Sequence, residues 1–252
     1  PVCADSLEVN HHHLSGYQHI IQADTHSVSN SAYKVQANSK LRKKKNNMAP
    51  KYKLIYFPVK GLGEPIRFLL AYLGDDFEDY RFKVEDWPSI KPTTPFGKSP
   101  VLEVDGGKLK LCQSVAICRY LAKQAGLCGK DALEDLQIDI IVDVIGDLRQ
   151  AIAGFHYDPD EKQKATKKAT CLNETLPFYM KKLEAIAKEN NGFLANGKLS
   201  WADIFFAGLV EYLGYMCGSD IVENYPNLKA IKESVFAIEK IKAYIAQRPE
   251  SP

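Results

Sequence analysis

Tyr56 is the residue whose type and position best suit chemistry on a thiol. It lies near the end of an aromatic and β-branched run at residues 52–57, where its hydroxyl would project from the sheet. A neutral tyrosine hydroxyl can donate to an anion without ionising at neutral pH. A thiol of pKa near 8.5 is roughly a tenth or less ionised there, and each unit of depression takes about 1.4 kcal/mol. Most lone strand tyrosines belong to the core, so the neighbouring groups decide between the two roles.

Gln113 and Ser114 stand where a second helix is expected to begin. The first amides of a helix carry partial positive charge, and a serine hydroxyl among them can bind a carboxylate. Read alone, Ser114 is an ordinary helix cap.

Three further donors lie between these positions. Trp87 offers an indole N–H to another carboxylate, and Lys91 and Lys98 add positive charge. The alternative is a packed tryptophan beside two solvated lysines.

The elements that must position these groups follow from the pattern of apolar residues. A strand at residues 52–57 precedes a helix opened by Glu64 and Pro65 and ended by Gly74. A second strand at 77–82, a hairpin pairing 101–104 with 109–111, and a helix capped by Ser114 complete the region. This order predicts an α/β thioredoxin-like domain.

Beyond Gly129 the pattern is helical only, which predicts an all-α domain. A long helix begins near Leu136, and further helices are expected at about 166–189, 201–216, 227–235 and 238–246. Ser200 and Asp203 form a capping box with a structural role. The predicted divisions are a prefix at 1–47, a thioredoxin-like domain at 48–127 and an all-helical domain at 133–252.

The charge and the histidines are concentrated in the prefix. Residues 1–47 carry a formal charge of +3, which leaves −1 for the remainder of a chain whose total is +2. The remainder of the chain therefore lacks the excess of positive charge that is typical of nucleic-acid-binding proteins. Only His156 lies downstream of the prefix, which argues against a histidine triad or a multi-histidine metal site in the globular part.

The prefix begins with proline, lacks helical or strand periodicity and ends in Lys-Lys-Lys-Asn-Asn before Met48. We expect it to be disordered and not native, with Met48 as the native start. The prefix has no apolar run of signal-peptide length and no Arg-rich amphipathic presequence, so a targeting function is the weaker alternative and no membrane partner is expected. Six cysteines without a CxxC pair favour reduced thiols and a cytoplasmic protein.

Six segments together resemble the sigma class of glutathione transferases, most of all its insect branch. The class also includes haematopoietic prostaglandin D synthase and lens S-crystallins. The resemblance covers residues 52–249. Its segments are Tyr-Lys-Leu-x-Tyr-Phe at 52–57, Asp-Trp-Pro at 86–88, Pro-Phe-Gly-Lys at 95–98, Leu-Glu-Val-Asp-Gly at 102–106, Gln-Ser at 113–114 and Trp-Ala-Asp-Ile-Phe at 201–205.

The resemblance implies glutathione as co-substrate and Tyr56 as the residue that stabilises its thiolate. A cis bond before Pro100 would leave the Ser99 backbone free to pair with the cysteinyl unit like an added strand. It also implies a homodimer in which Asp147 of one subunit reaches the γ-glutamyl ammonium bound in the other. The implied glutathione contacts within one subunit are Tyr56, Trp87, Lys91, Lys98, Ser99, Gln113 and Ser114.

Two departures from the class limit what carries over. Vertebrate prostaglandin synthases have an arginine where this chain has Leu62, so the charges that support the tyrosine must differ. Gly146 stands where those enzymes have an acid used in divalent-metal binding at the dimer interface. We therefore expect no functional metal and keep prostaglandin-H2 D-isomerase as an alternative activity.

The function we predict is attack of the glutathione thiolate on small hydrophobic electrophiles. Unsaturated aldehydes from lipid peroxidation are candidate substrates for this addition, and hydroperoxides are candidate substrates for a glutathione peroxidase activity. Tyr157 and Tyr212 match aromatic positions that line the electrophile site of insect relatives, and they are also consistent with half-buried packing residues. A non-enzymatic crystallin-like protein and a glutathione-transferase-like binding module are the alternatives from other classes.

Overall fold

The computed structural model describes residues 52–252. The predictions that residues 1–47 are disordered and not native lie outside this range.

A four-stranded sheet forms the first half of the described chain. The strands are β1 (Tyr52–Tyr56), β2 (Phe77–Arg81), β3 (Val101–Val104) and β4 (Leu109–Cys112), in the spatial order β2-β1-β3-β4. Strand β1 runs parallel to β2 and antiparallel to β3, and β3 pairs with β4 as a hairpin. Alternate residues of β1 (Tyr52, Leu54 and Tyr56) are buried, as expected for a strand with one face on the core.

Three helices accompany the sheet. They are α1 (Glu64–Leu73), the short α2 (Trp87–Ile90) and α3 (Ser114–Ala125). Pro65 lies in the first turn of α1, where its missing N–H has no intrahelical partner. Gly74 ends α1 in the left-handed conformation, with φ 77°.

The second half is helical throughout. Its helices are α4 (Ala132–His156), α5 (Glu161–Thr170), α6 (Leu176–Glu189), α7 (Trp201–Cys217), α8 (Pro226–Ala237) and α9 (Glu239–Gln247). A π-helical turn at Cys171–Thr175 joins α5 to α6. The predicted thioredoxin-like domain followed by an all-α domain is confirmed.

Two helix starts lie earlier than predicted. Helix α4 begins at Ala132, because the Asp131 side chain accepts hydrogen bonds from the amides of Leu133 and Glu134. Helix α5 begins at Glu161 with an equivalent cap from Asp160. None of its residues is buried, so it has no apolar stripe to reveal it.

Helix α7 is the central helix of the second half and joins it to the first. A Cβ at Gly208 would lie 2.8 Å from Pro65 Cα, so only glycine allows α7 to approach α1 this closely. The predicted capping box at its start is present, with Asp203 accepting from the Ser200 amide at 2.8 Å. Within residues 52–252, no helix combines the length and apolarity needed to span a membrane.

Candidate active site

The Tyr56 hydroxyl lies where β1 ends and the chain turns towards α1. The side chain is 8% exposed, and its oxygen accepts a hydrogen bond from the Leu62 amide at 3.1 Å. Burial, the largest influence, raises the pKa of Tyr56 above its ordinary value of 10.0, so the phenol is neutral at physiological pH. With its oxygen accepting from Leu62, the hydroxyl keeps its own proton to donate.

The loop from Val59 to Gly63 lies closely against the tyrosine ring. A Cβ at Gly61 would come within 2.8 Å of the Tyr56 hydroxyl oxygen, and one at Gly63 within 2.6 Å of its Cδ1. Beneath the ring, the Arg67 guanidinium carbon is 5.8 Å from the ring centroid. Because Arg67 is buried here, a cation lies near the tyrosine although Leu62 carries no charge.

Ser99 lies just before β3, which begins at Val101. The Ser99-Pro100 peptide bond is cis. The Ser99 hydroxyl donates to the carbonyl of Ile55 at 3.2 Å, which ties this turn to the end of β1. Ser99 is therefore adjacent to the strand that carries Tyr56.

The start of α3 differs from the prediction in one respect. Ser114 is the first helical residue rather than the cap, and Gln113 occupies the cap position with φ 70° and no side-chain cap bond. The first amides of α3 are thus not capped by either side chain, which leaves them to an anion or to water.

Trp87 is a packed residue that keeps some exposure. Its ring stacks on Phe82 at 5.6 Å and lies 5.4 Å from Phe57, the neighbour of Tyr56. Lys91 and Lys98 are exposed, and neither forms an ion pair within residues 52–252. Trp87 therefore packs against Phe57 and Phe82, as the alternative reading expects, and its binding to a carboxylate stays a prediction.

A cleft of about 460 Å³ opens beside Tyr56, a volume typical of small-molecule sites. Aromatic side chains from both halves of the chain form most of its wall. The lining residues are Tyr56, Phe57, Val59, Val84, His156, Tyr157, Tyr212, Tyr215 and Pro252.

Tyr157 and Tyr212, both predicted from the sequence, share this cleft and bond to each other through their hydroxyls. Tyr157 is 62% exposed, whereas Tyr212 is only 9% exposed and stacks on Tyr215. Burial and the bond to Tyr157 raise the pKa of Tyr212 well above its ordinary value. Tyr212 thus stays a neutral hydroxyl at the cleft wall.

Asp147 is exposed on α4 and does not line the cleft. No group of three or more histidine, cysteine or acidic side chains in residues 52–252 is arranged to hold a metal ion.

The groups that surround the tyrosine were not predicted from the sequence. The Leu62 donor is a backbone amide, which leaves no signal in residue types. Arg67 had one signal: it follows Glu64 by three residues on an otherwise apolar helix, a spacing that allows an ion pair. His156 and Tyr215 are brought to the cleft by the packing of α4 and α7.

Comparisons with known proteins agree with this architecture. Residues 52–123 match the model of the glutathione S-transferase N-terminal domain, and residues 146–248 match that of the C-terminal domain. A glutathione S-transferase of Anopheles gambiae is 52% identical over 200 residues, which cover 79% of this chain and 98% of the relative.

Two solved structures are also similar. A prostaglandin synthase D of Nilaparvata lugens is 49% identical, with a TM-score of 0.77 over 80% of this chain and 100% of its own. A sigma-class enzyme of Fasciola hepatica is 28% identical, with a TM-score of 0.71 over 81% and 99%. The chain therefore belongs to the glutathione S-transferase family, as a transferase related to its sigma class.

Proposed function

We propose that this transferase activates glutathione through Tyr56 and adds its thiolate to hydrophobic electrophiles. One observation carries the proposal: the buried Tyr56 hydroxyl accepts from the Leu62 amide at 3.1 Å while lining an aromatic cleft. The phenol oxygen accepts a hydrogen bond from the amide, and the phenol proton can be donated to a thiolate. Charge-assisted hydrogen bonds are stronger than neutral ones, so this donor favours the thiolate over the thiol.

In this proposal glutathione lies along the edge formed by Ser99 and the start of α3. The Ser99 backbone pairs with the cysteinyl unit, and Gln113 and Ser114 hold the γ-glutamyl carboxylate at the positive end of the helix. This is supported by the uncapped first turn of α3 and by the position of Ser99 beside β1.

The glycyl carboxylate would take the indole N–H of Trp87 and the charges of Lys91 and Lys98. The support is that both lysines are exposed and form no ion pair within the described part of the chain. A free ammonium can move to a bound carboxylate without breaking an existing salt bridge.

The electrophile would occupy the cleft between Tyr56 and the pair formed by Tyr157 and Tyr212. Addition of the thiolate to the β-carbon of an unsaturated aldehyde moves negative charge to the carbonyl oxygen. A hydroxyl of this pair can donate to that oxygen as the charge develops. With a hydroperoxide, two glutathione molecules would be oxidised to the disulfide while the substrate is reduced to the alcohol and water.

We further propose a homodimer in which Asp147 of one subunit binds the γ-glutamyl ammonium in the other. Leu133, Leu136 and Ile140 form an exposed apolar stripe on α4, and Asp147 lies about two turns beyond Ile140 on the same face. Phe96 is 86% exposed in a left-handed conformation, with φ 56°. Such a ring is expected to be covered by a partner, since exposed apolar patches mark interaction sites.

The proposed cellular location is the cytoplasm. Five cysteines of the described chain are all free thiols, as expected for a reducing compartment.

Prostaglandin-H2 D-isomerase activity is the second candidate. The specific support is the likeness to the prostaglandin synthase D of Nilaparvata lugens, 49% identical over 80% of this chain. The cleft is open beside Tyr56, which argues against a crystallin-like structural role.

A substrate panel tests the proposal. The panel contains 1-chloro-2,4-dinitrobenzene, 4-hydroxynonenal, cumene hydroperoxide and prostaglandin H2, assayed with wild type and Tyr56→Phe. Tyr52→Phe is the matched control, because Tyr52 lies on the same strand but its hydroxyl bonds to Gln124. We expect turnover to collapse only in Tyr56→Phe while glutathione still binds; glutathione binding without turnover of any substrate by wild type would contradict the proposal.

A further inference from the structure

Arg67 is a fully buried arginine, 0% exposed, in the first half of α1. Its Nε donates to Asp79 Oδ1 at 3.0 Å, and its Nη1 donates to Glu64 Oε2 at 3.0 Å. The same Nη1 reaches the carbonyl oxygens of Val59 at 3.1 Å and Lys60 at 3.5 Å. One guanidinium thus joins α1 and β2 to the loop that follows β1.

The loop held in this way is the one that supplies the donor to Tyr56. Val59 and Lys60 lead directly into the turn Gly61–Gly63, and the Leu62 amide of this turn donates to the Tyr56 hydroxyl. A carbonyl fixed at Val59 therefore fixes an amide three residues later. The close approach of Gly61 and Gly63 to the tyrosine leaves the loop little room to compensate for a shift.

Glu64, one of the two carboxylate partners of Arg67, is itself held by further hydrogen bonds. Glu64 is fully buried and also accepts from Arg248 Nη1 at 2.6 Å and from the Tyr244 hydroxyl. Arg248 in turn reaches Glu211 of α7 at 2.6 Å. Arg67 is therefore held by a charged network that spans both halves of the described chain.

We propose that Arg67 is a positioning residue for glutathione activation, which holds the loop from Val59 to Leu62 so that the Leu62 amide keeps its bond to Tyr56. This inference rests on the proposed role of Tyr56. Arg67 acts through the loop and makes no contact with substrate.

The geometry requires an arginine and not only a positive charge. The planar guanidinium donates in three directions at once, to Asp79, to Glu64 and to the loop carbonyls. A lysine ammonium is a single point of charge on a flexible chain and cannot span these partners together. Arg67→Lys therefore keeps the charge that offsets Glu64 and Asp79 while it loses the hold on the loop.

Arg81→Lys is a matched control. Arg81 also bonds Asp79, through Nε to Oδ2 at 2.8 Å, and it bonds the Tyr244 hydroxyl. It makes no hydrogen bond to residues 59–62. The two variants thus share the chemical change and the carboxylate partner but differ in contact with the loop.

The test is a pH titration of the thiolate absorbance of bound glutathione, with the pH profile of kcat/KM beside it. In Arg67→Lys we expect the bound thiol pKa to rise by about half to one unit, so that kcat/KM falls about three- to tenfold below that pKa and recovers above it. Arg81→Lys should keep the wild-type profile. Thermal unfolding checks that both variants are folded at the assay temperature.

A folded Arg67→Lys with the wild-type thiol pKa and pH profile would overturn the inference. An equal shift in Arg81→Lys would also overturn it, because the effect would then belong to the Asp79 ion pairs in general. Tyr56→Phe, titrated alongside, separates this inference from the function on which it rests. If Tyr56→Phe raises the thiol pKa and Arg67→Lys does not, only the inference fails.

Discussion

The backbone amide of Leu62 donates to the hydroxyl oxygen of Tyr56 across 3.1 Å. The donor belongs to the main chain, so it does not depend on which side chain stands at position 62. The phenol oxygen accepts from this amide, while the phenol proton stays available for donation to a thiolate at neutral pH.

The Leu62 amide can be removed by a single substitution. Leu62→Pro takes away the N–H that donates to the Tyr56 hydroxyl. We expect the thiol pKa of bound glutathione to rise by about one unit, with kcat/KM about tenfold lower at neutral pH. Leu62→Ala keeps the amide and should stay within about twofold of wild type. Equal activity of the two variants would show that the amide has no part in activation.

Tyr212→Phe separates aldehyde substrates from others. Tyr212 shares a hydroxyl bond with Tyr157 at the cleft wall, and its raised pKa keeps it a donor across the neutral range. We expect kcat/KM for 4-hydroxynonenal to fall about tenfold or more, since carbonyl polarisation is lost. With 1-chloro-2,4-dinitrobenzene, which has no carbonyl, the change should be about twofold or less. A uniform loss on both substrates would assign Tyr212 to packing alone.

Asp147 can be tested for action across a dimer by mixing two defective subunits. Asp147→Asn should raise the KM for glutathione, and Tyr56→Phe should lower kcat. A mixed dimer would carry one site with both Tyr56 and the partner subunit's Asp147 intact. Random mixing should therefore restore about a quarter of wild-type sites, measured at low glutathione concentration. No recovery after verified subunit exchange would exclude the intersubunit role.

The elements of the sheet half could be predicted from sequence because their apolar residues repeat with clear periods. The start of helix α5 could not be predicted in this way, because none of its ten residues is buried. Tyr157 and Tyr212 lie 55 residues apart and meet only through the packing of α4 and α7, so their assignment depended on resemblance. A buried arginine such as Arg67 is rare, and only the fold shows which partners make it tolerable.

The capping box of α7 makes a prediction about stability and pH. Asp203 is fully buried and accepts from the amides of Leu194 and Ser200, both at 2.8 Å. Burial raises its pKa above the ordinary 3.8, so the folded state keeps this proton at pH values where the unfolded chain has lost it. Its contribution to the free energy of unfolding is therefore fully present below pH 3.8 and falls as pH rises through the folded pKa.

Asp203→Asn removes this titration and replaces one acceptor oxygen with an NH2 group that faces the Ser200 amide. We expect a loss of about 2 kcal/mol in urea unfolding, larger at acid than at neutral pH. Asp86→Asn is the control, because Asp86 is exposed and its carboxylate makes no hydrogen bond within residues 52–252. A deficit that grows from acid to neutral pH would contradict the sign of the shift.

The role of Tyr56 is tested by the thiolate absorbance of bound glutathione, titrated against pH in wild type and in Tyr56→Phe. We expect the wild-type complex to ionise below the ordinary thiol pKa of about 8.5, and the variant complex to ionise about one to two units higher than wild type. The pKa of Tyr56 itself is raised above 10.0. The absorbance of the wild-type complex should therefore show no ionisation of Tyr56 between the pH at which the thiol ionises and pH 10.0. Identical thiol pKa values in both complexes would contradict the claim that Tyr56 stabilises the thiolate.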